Sequence, residues 1–125
     1  MSHPYQYAVL RFVPRVDRGE WLNVGVVVHS QSAGVLRCAF HLDEPRIVAF
    51  APDADLDGLR RSLEAVGTMC DRPPADVGGT LSTPGKRFGW ITAPRSTVLQ
   101  PGPVHGGCVL DPAAEVDRLL DRLVK

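Results

Sequence analysis

"YAVLRFVPRVDRGEWLNVGVVVH", Tyr7 to His29, decides how the rest of the chain is read. Two apolar runs flank Pro14–Glu20, a connection of hairpin length. In the first run, Tyr5–Val13, a pleated strand puts Ala8, Leu10 and Phe12 on one side and Tyr5, Tyr7, Val9 and Arg11 on the other. Both sides are largely apolar, which predicts cover on both. In the second, Trp21–His29, alternation predicts a pure core face of Leu22, Val24, Val26 and Val28, opposite Asn23, Gly25, Val27 and His29. A third strand, Val35–Leu42, follows the short polar link Ser30–Gly34 and turns Leu36, Cys38, Phe40 and Leu42 inward. The three form an antiparallel meander.

Helical signals come next. Asp43-Glu44-Pro45 starts a short helix over Arg46–Ala51, with acids at the positive end and Pro in the first turn. Leu56, Leu59, Leu63, Val66 and Cys70 recur at three- and four-residue steps, an amphipathic helix capped by Asp53 or Asp55. Asp71–Gly85 has no period and reads as a long loop. Within Lys86–Gln100 either Arg87–Thr92 or Ser96–Gln100 could form a short strand, the second fitting better, and Pro101–Gly107 reads as turns. Asp111-Pro112 opens a last helix with the stripe Val116, Leu119, Leu120, Leu123 and Val124. The expected fold is one α+β domain over residues 1–125. It has an antiparallel sheet of three to five strands, with two to three helices packed mainly on one face. The Leu22/Val24/Val26/Val28 face should receive the middle and last helices. The long loop and Lys86–Gln100 should cover the Arg11/Asn23 face.

Composition narrows the function classes. At 125 residues the chain is long enough for a core without staples. Apolar residues make up 44% and charged residues 22%, a globular balance. No apolar run approaches the ~18 residues of a membrane span, and no basic-then-apolar leader opens the chain. Cys38, Cys70 and Cys108 are three, widely spaced and without a CxxC pair, which argues against a disulfide framework or a zinc site and for a reducing cytoplasm. Net charge is zero, which gives no prior for nucleic acid, and residues 77–110 hold Lys86, Arg87 and Arg95 and no acid, a weak basic signal better read as a solvated loop. Twelve of the fourteen basic residues are Arg, a coding bias that points to a GC-rich bacterium such as an actinomycete.

There is no GxGxxG, Walker loop, HExxH or GxSxG. His29 and His41 could hold zinc only as cross-strand neighbours, and no cofactor or metal is expected. Ser96 has no base nearby in sequence, and Cys38 alternates with core residues like a small hydrophobe. Phe88 and Trp90 beside Lys86 and Arg87 echo single-strand binders without completing their pattern. Arg11, on a strand covered on both sides, needs a partner, because an unpaired buried charge costs several kcal/mol. Glu20 and Asn23 could supply one as a network that sets the hairpin register. Alternatively Arg11, Arg15 and Arg87 or Arg95 form a fork for a phosphate or carboxylate.

"YQYAVLRFVPRVDRGEWLNVGVVV", "KRFGWITAPRSTVLQPGPVHGG" and "DPAAEVDRLLDRLV" together resemble a bacterial domain-of-unknown-function family, number thirty thirty-seven, in what looks like its actinobacterial branch. Its signature matches at Tyr7, Arg11, Pro14, Arg15, Gly19, Glu20, Asn23 and Gly25, then at Arg87, Phe88, Arg95 and Ser96. Gly106-Gly107-Cys108 departs from the Gly or Thr with Leu usual after the Val-His element. The resemblance implies no activity. It implies a HipA-like protein kinase as genomic neighbour, and hence as expected partner of a small cytoplasmic accessory protein without a complete catalytic site. The other readings are an enzyme or binding protein for a phosphate- or carboxylate-bearing molecule and, less favoured, a nucleic-acid-binding protein of a toxin or defence system. The candidate binding residues are Arg11, Arg15, Glu20, Asn23, Arg87, Arg95, Ser96 and His105, with Arg87, Arg95 and Ser96 expected to gather over the first hairpin. A free edge strand leaves room for a homodimer.

Overall fold

β1 (His3–Phe12) is the spine of an open antiparallel sheet. The computed structural model describes residues 1–74 and 79–125. On one side β1 pairs with β2 (Leu22–Ser30), which pairs in turn with β3 (Val35–Phe40). On the other side two short strands share its edge: β4 (Leu99–Pro101) lies beside Leu10–Phe12, and β5 (His105–Val109) beside His3–Tyr7. Among the described residues, five strands and four helices make an α+β fold, the class expected.

One extra residue in β2 controls which helix meets which face. Leu10 pairs with Gly25, but Arg11 pairs with Asn23, so Val24 has no partner of its own and forms a β-bulge. The bulge inverts the alternation. Leu22 and Val24 pack with Ala8, Leu10 and Phe12 on one face, whereas Val26 and Val28 pack with Tyr5 on the other. The continuous face Leu22/Val24/Val26/Val28 expected from sequence is therefore split, and each half lies in a different core.

The first core lies beneath α1 (Glu44–Phe50), α2 (Leu56–Asp71) and α3 (Pro84–Ile91), which contribute Ile47; Leu59, Leu63 and Cys70; and Phe88 and Ile91. Among the described residues the second lies beneath α4 (Pro112–Leu123) alone, through Val116, Leu119, Leu120 and its C-cap Val124. Three helices thus share one face, but the last helix does not join the middle one as expected. It covers the face that also carries Arg11 and Asn23, which the Lys86–Gln100 segment was expected to cover.

The helix starts follow from side-chain caps. Asp43, Asp55 and Asp111 each accept a bond from a backbone N–H three residues on, and Pro45 and Pro112 occupy first turns. Arg87–Thr92, the less favoured strand candidate, is instead the end of α3, with Thr92 as its C-cap. Thr83 caps that helix by accepting from the Lys86 N–H at 3.2 Å, Pro84 fills its first turn, and Phe88 and Ile91 fall on one face. Pro101–Gly107, expected as turns, contains the start of β5. Part of the expected loop Asp71–Gly85, residues 75–78, lies outside the described residues.

Polar bonds fix α4 on the sheet. The Tyr5 hydroxyl donates to Glu115 Oε2 at 2.6 Å, and Arg118 grips both carboxylate oxygens at 2.6 and 2.7 Å. Arg37 donates to the Ala113 carbonyl at 3.0 Å near the start of the helix, and Asn23 Nδ2 to the Leu123 carbonyl at 3.1 Å at its end. Glu115 is 5% exposed and is the most buried carboxylate described. Its charge is tolerated because both oxygens are satisfied. The Arg118 guanidinium, ahead of the Tyr5 hydroxyl, holds the Glu115 carboxyl below its usual range. Burial and then the Glu115 carboxylate push the Tyr5 phenol up to about 12. Gly107 sits directly across from Tyr5, and a Cβ there would lie 2.9 Å from the Tyr5 ring. The absence of a side chain at Gly107 makes room for that ring.

Candidate functional site

The β1–β2 connection, the α1–α2 linker and the chain entering β4 meet at one end of the sheet and enclose an open cleft of about 520 Å³. Its floor is apolar. Phe12 comes from the end of β1, Phe50 and Leu59 from the flanking helices, and Val98 and Leu99 from the approach to β4. Its rim carries both signs of charge, with Arg15, Arg18 and Glu20 on the connection and Asp53 and Asp55 on the linker. The connection folds as a single turn, in which the Arg18 and Gly19 N–H groups both bond the Arg15 carbonyl. Arg15 pairs with Asp17 at 2.9 Å, and Arg18 pairs with Glu20. These exposed pairs fix side-chain direction more than they stabilise. In each pair the guanidinium holds its carboxyl below the ordinary value. The N-terminus of α2 also faces the cleft, but its positive end is already taken by Asp55, which accepts the Gly58 N–H at 3.0 Å.

Of the residues singled out from sequence, Arg15 and Glu20 line this cleft and the other six do not. Arg11 lies on the α4 side of the sheet. Its guanidinium stacks 4.1 Å from the Trp21 ring centroid, and a Cβ on Gly102 would approach it to 3.0 Å from the other side. Its Nε has no hydrogen-bond partner among the described residues. The Arg11–Glu20–Asn23 network does not form, because Glu20 turns to Arg18 and Asn23 to the end of α4. Arg87 is buried on the opposite side, in α3, where Nη1 donates to the Leu81 and Ser82 carbonyls, both at 3.1 Å. Arg95 folds back on α3, bonding the Trp90 and Ala93 carbonyls and stacking 4.6 Å over the Trp90 ring. Ser96 is exposed. His105 is an exposed residue of β5 whose ring lies against Tyr7 at 5.2 Å. The expected gathering of Arg87, Arg95 and Ser96 with Arg11 is therefore absent. The bulge sends α4 to the Arg11 face and leaves α3 on the other.

Sequence reading missed Asp53, Asp55 and the apolar floor as parts of one site, because they meet only through tertiary packing. It also missed the Tyr5–Glu115 bond. There a signal existed: Glu115 falls between Pro112 and Leu119 on the buried stripe of α4.

The remaining titratable candidates settle into structural places. His29 and His41 are not cross-strand neighbours; His29 pairs with Leu36, and the His41 N–H bonds Val24. The His29 ring stacks on Phe88 at 5.3 Å, and burial lowers its pKa. Cys38 and Cys70 share the first core, and burial pushes both thiols up to about 12. Among the described residues no group of three or more His, Cys, Asp or Glu converges as a metal site. No helix described is long and apolar enough to cross a membrane.

This arrangement defines a small α+β protein with an open antiparallel sheet and an amphipathic cleft at one end. Comparison with protein-family models matches residues 7–124 to the family described as "Protein of unknown function (DUF3037)", and the chain belongs to that family. No curated protein and no solved structure matches it.

Proposed function

We propose that this is an accessory binding protein whose cleft receives an apolar segment of a partner chain. The partner we name from the family resemblance is a HipA-like kinase. The observation that carries the reading is the composition of the cleft. An apolar floor suits one or two large aliphatic or aromatic side chains. The rim offers both signs of charge, as a polypeptide flanking such an anchor requires, and it does not offer the unopposed positive charge that a small anion requires. Val16 and Val98, both nearly half exposed, stand at the connection and at the cleft, where a partner would cover them.

The test is binding of the purified kinase by isothermal titration, with Ser62→Trp to fill the cleft from α2. Binding at ~10 μM or tighter that weakens at least about tenfold in Ser62→Trp, with the melting temperature held, supports the reading. No association at ~100 μM removes the kinase, and an unchanged affinity in Ser62→Trp removes the cleft.

A second reading, binding of a phosphate- or carboxylate-bearing molecule, has support at Arg11. This guanidinium has no carboxylate hydrogen-bonded to it among the described residues and is held between Trp21 and Gly102. Titration of phenyl phosphate followed by Trp fluorescence, repeated with Arg11→Gln, checks it. Saturation below ~1 mM that vanishes in the variant is expected, and a flat titration ends the idea. For nucleic acid the geometry gives less. Arg87 and Phe88 are buried, and Arg95 occupies one face of Trp90.

A further inference from the structure

β5 pairs with β1 on one side, and among the described residues its other edge is unpaired. Bonds from the Val13 N–H to the Val98 carbonyl and from the Gly102 N–H to the Val9 carbonyl show that odd-numbered residues of β1 direct their backbone groups towards β4 and β5. Carried through the pairs Tyr7 with His105, Tyr5 with Gly107 and His3 with Val109, this alternation turns the odd residues of β5 inward. The N–H and C=O groups of Gly106 and Cys108 are left facing away from the sheet, and Val104 and Leu110 flank the strand, one residue beyond either end.

Most exposed edges are protected by charge, by a bulge or by a covering element. This one has no Lys, Arg, Asp or Glu between Gln100 and Leu110, and residues 105–108 are all exposed. Leu110 is 73% exposed and Val104 43% exposed, although both are apolar. The opposite edge, β3, differs in carrying the exposed Arg37, whose charge would confront its own copy.

We propose that two copies of this chain pair through β5, antiparallel about a two-fold axis at Gly107, so that one sheet runs through both. The palindromic placement of the exposed apolar residues selects a second copy over an unrelated strand. With the axis at Gly107, Val104 lies across from the partner subunit's Leu110, and Leu110 across from the partner subunit's Val104. Both exposed side chains are covered at once, which no other two-fold register of this strand achieves. Gly106 and Cys108 face each other across the axis at hydrogen-bonded positions, where their outward backbone groups find partners. Gly107 falls on the axis at a non-hydrogen-bonded position, where strands approach to about 4.5 Å between Cα atoms. A ladder this short buries less surface than a standard interface, so the dimer is expected to be reversible, with Kd in the range of about 1–100 μM.

Sedimentation velocity from about 1 to 300 μM reads the association directly. A concentration-dependent dimer is expected. Gly106→Lys should weaken it by about tenfold or more by placing like charges beside the axis, and Leu110→Lys by removing the apolar side chain that covers the partner subunit's Val104. A Cβ on Gly106 meets only the Tyr5 carbonyl, at 3.6 Å, so that substitution fits the monomer; Leu110→Lys changes a side chain already in solvent. A short bis-maleimide should join two copies through Cys108, the exposed cysteine, and fail to do so in Cys108→Ser. A chain that stays monomeric throughout the range overturns the proposal. A dimer whose affinity is unmoved by both lysine variants also overturns it.

Discussion

Tyr5→Phe removes one oxygen and tests how α4 is held. The Tyr5 hydroxyl donates to a buried carboxylate at 2.6 Å, and a hydrogen bond to a charged group contributes about 1.5–3 kcal/mol. The lower end applies, because Arg118 continues to bond both oxygens of Glu115 after the change and leaves no orphan. A loss of about 1.5 kcal/mol in a chain of 125 residues corresponds to a fall in Tm of about 6 °C. Urea unfolding at pH 7 measures it, and the pH dependence identifies its source. Arg118 depresses the folded pKa of Glu115. That carboxylate's contribution is therefore complete above its unfolded value of about 4.3 and disappears as pH falls through the lower folded value. The gap between wild type and Tyr5→Phe should narrow across that acid window. At the alkaline end the Tyr5 phenol, raised to about 12, favours folding below its unfolded value of about 10. Wild type loses that advantage between the two values and Tyr5→Phe has none to lose. A destabilisation below about 0.5 kcal/mol at pH 7, or one that is the same at pH 2 and pH 7, would refute the assignment.

Three further outcomes follow from the packing. Gly107→Ala should cost about 1–3 kcal/mol by forcing the Tyr5 ring aside, and the cost should shrink in a Tyr5→Ala background; a double-mutant cycle in urea measures both. Leu63→Ala, at a fully buried position under α2, should cost about 2–5 kcal/mol by calorimetry. His29, whose pKa is lowered by burial, contributes stability that is complete above about pH 6.5 and lost as pH falls through its lower folded value. His29→Phe should flatten the stability profile between about pH 5 and 7, as thermal melts across that range would show.

Much of the fold was legible because local chemistry agreed with tertiary structure. Asp43, Asp55 and Asp111 began their helices where a side-chain cap was expected, and the meander of β1, β2 and β3 followed from alternation and short links. The failures have specific causes. Val24 is apolar on a strand of valines, so nothing in its own chemistry marks it as a bulge, yet it reassigns Val26 and Val28 to a different core. Phe88, Trp90 and Ile91 carry strand-prone side chains, and the Thr83-Pro84 cap that overrides them lies outside the run. The Gly106-Gly107 pair hid β5, because a glycine strand is held by its neighbour and not by propensity. The candidate site was legible only at Arg15 and Glu20. The cleft depends on the α1–α2 linker folding over the β1–β2 connection, a contact between segments more than thirty residues apart that no local pattern encodes.

The position of β1 at the centre of the sheet also has a consequence for synthesis. Its inner neighbour β2 follows within one hairpin, but Tyr5 meets Gly107 only about a hundred residues later. At a translation rate of about 5–20 residues per second, the outer edge of the spine stands open for roughly five to twenty seconds before β4, β5 and α4 can close it. A nascent chain in that interval is a half-built sheet whose outer flank is open to pairing with another strand.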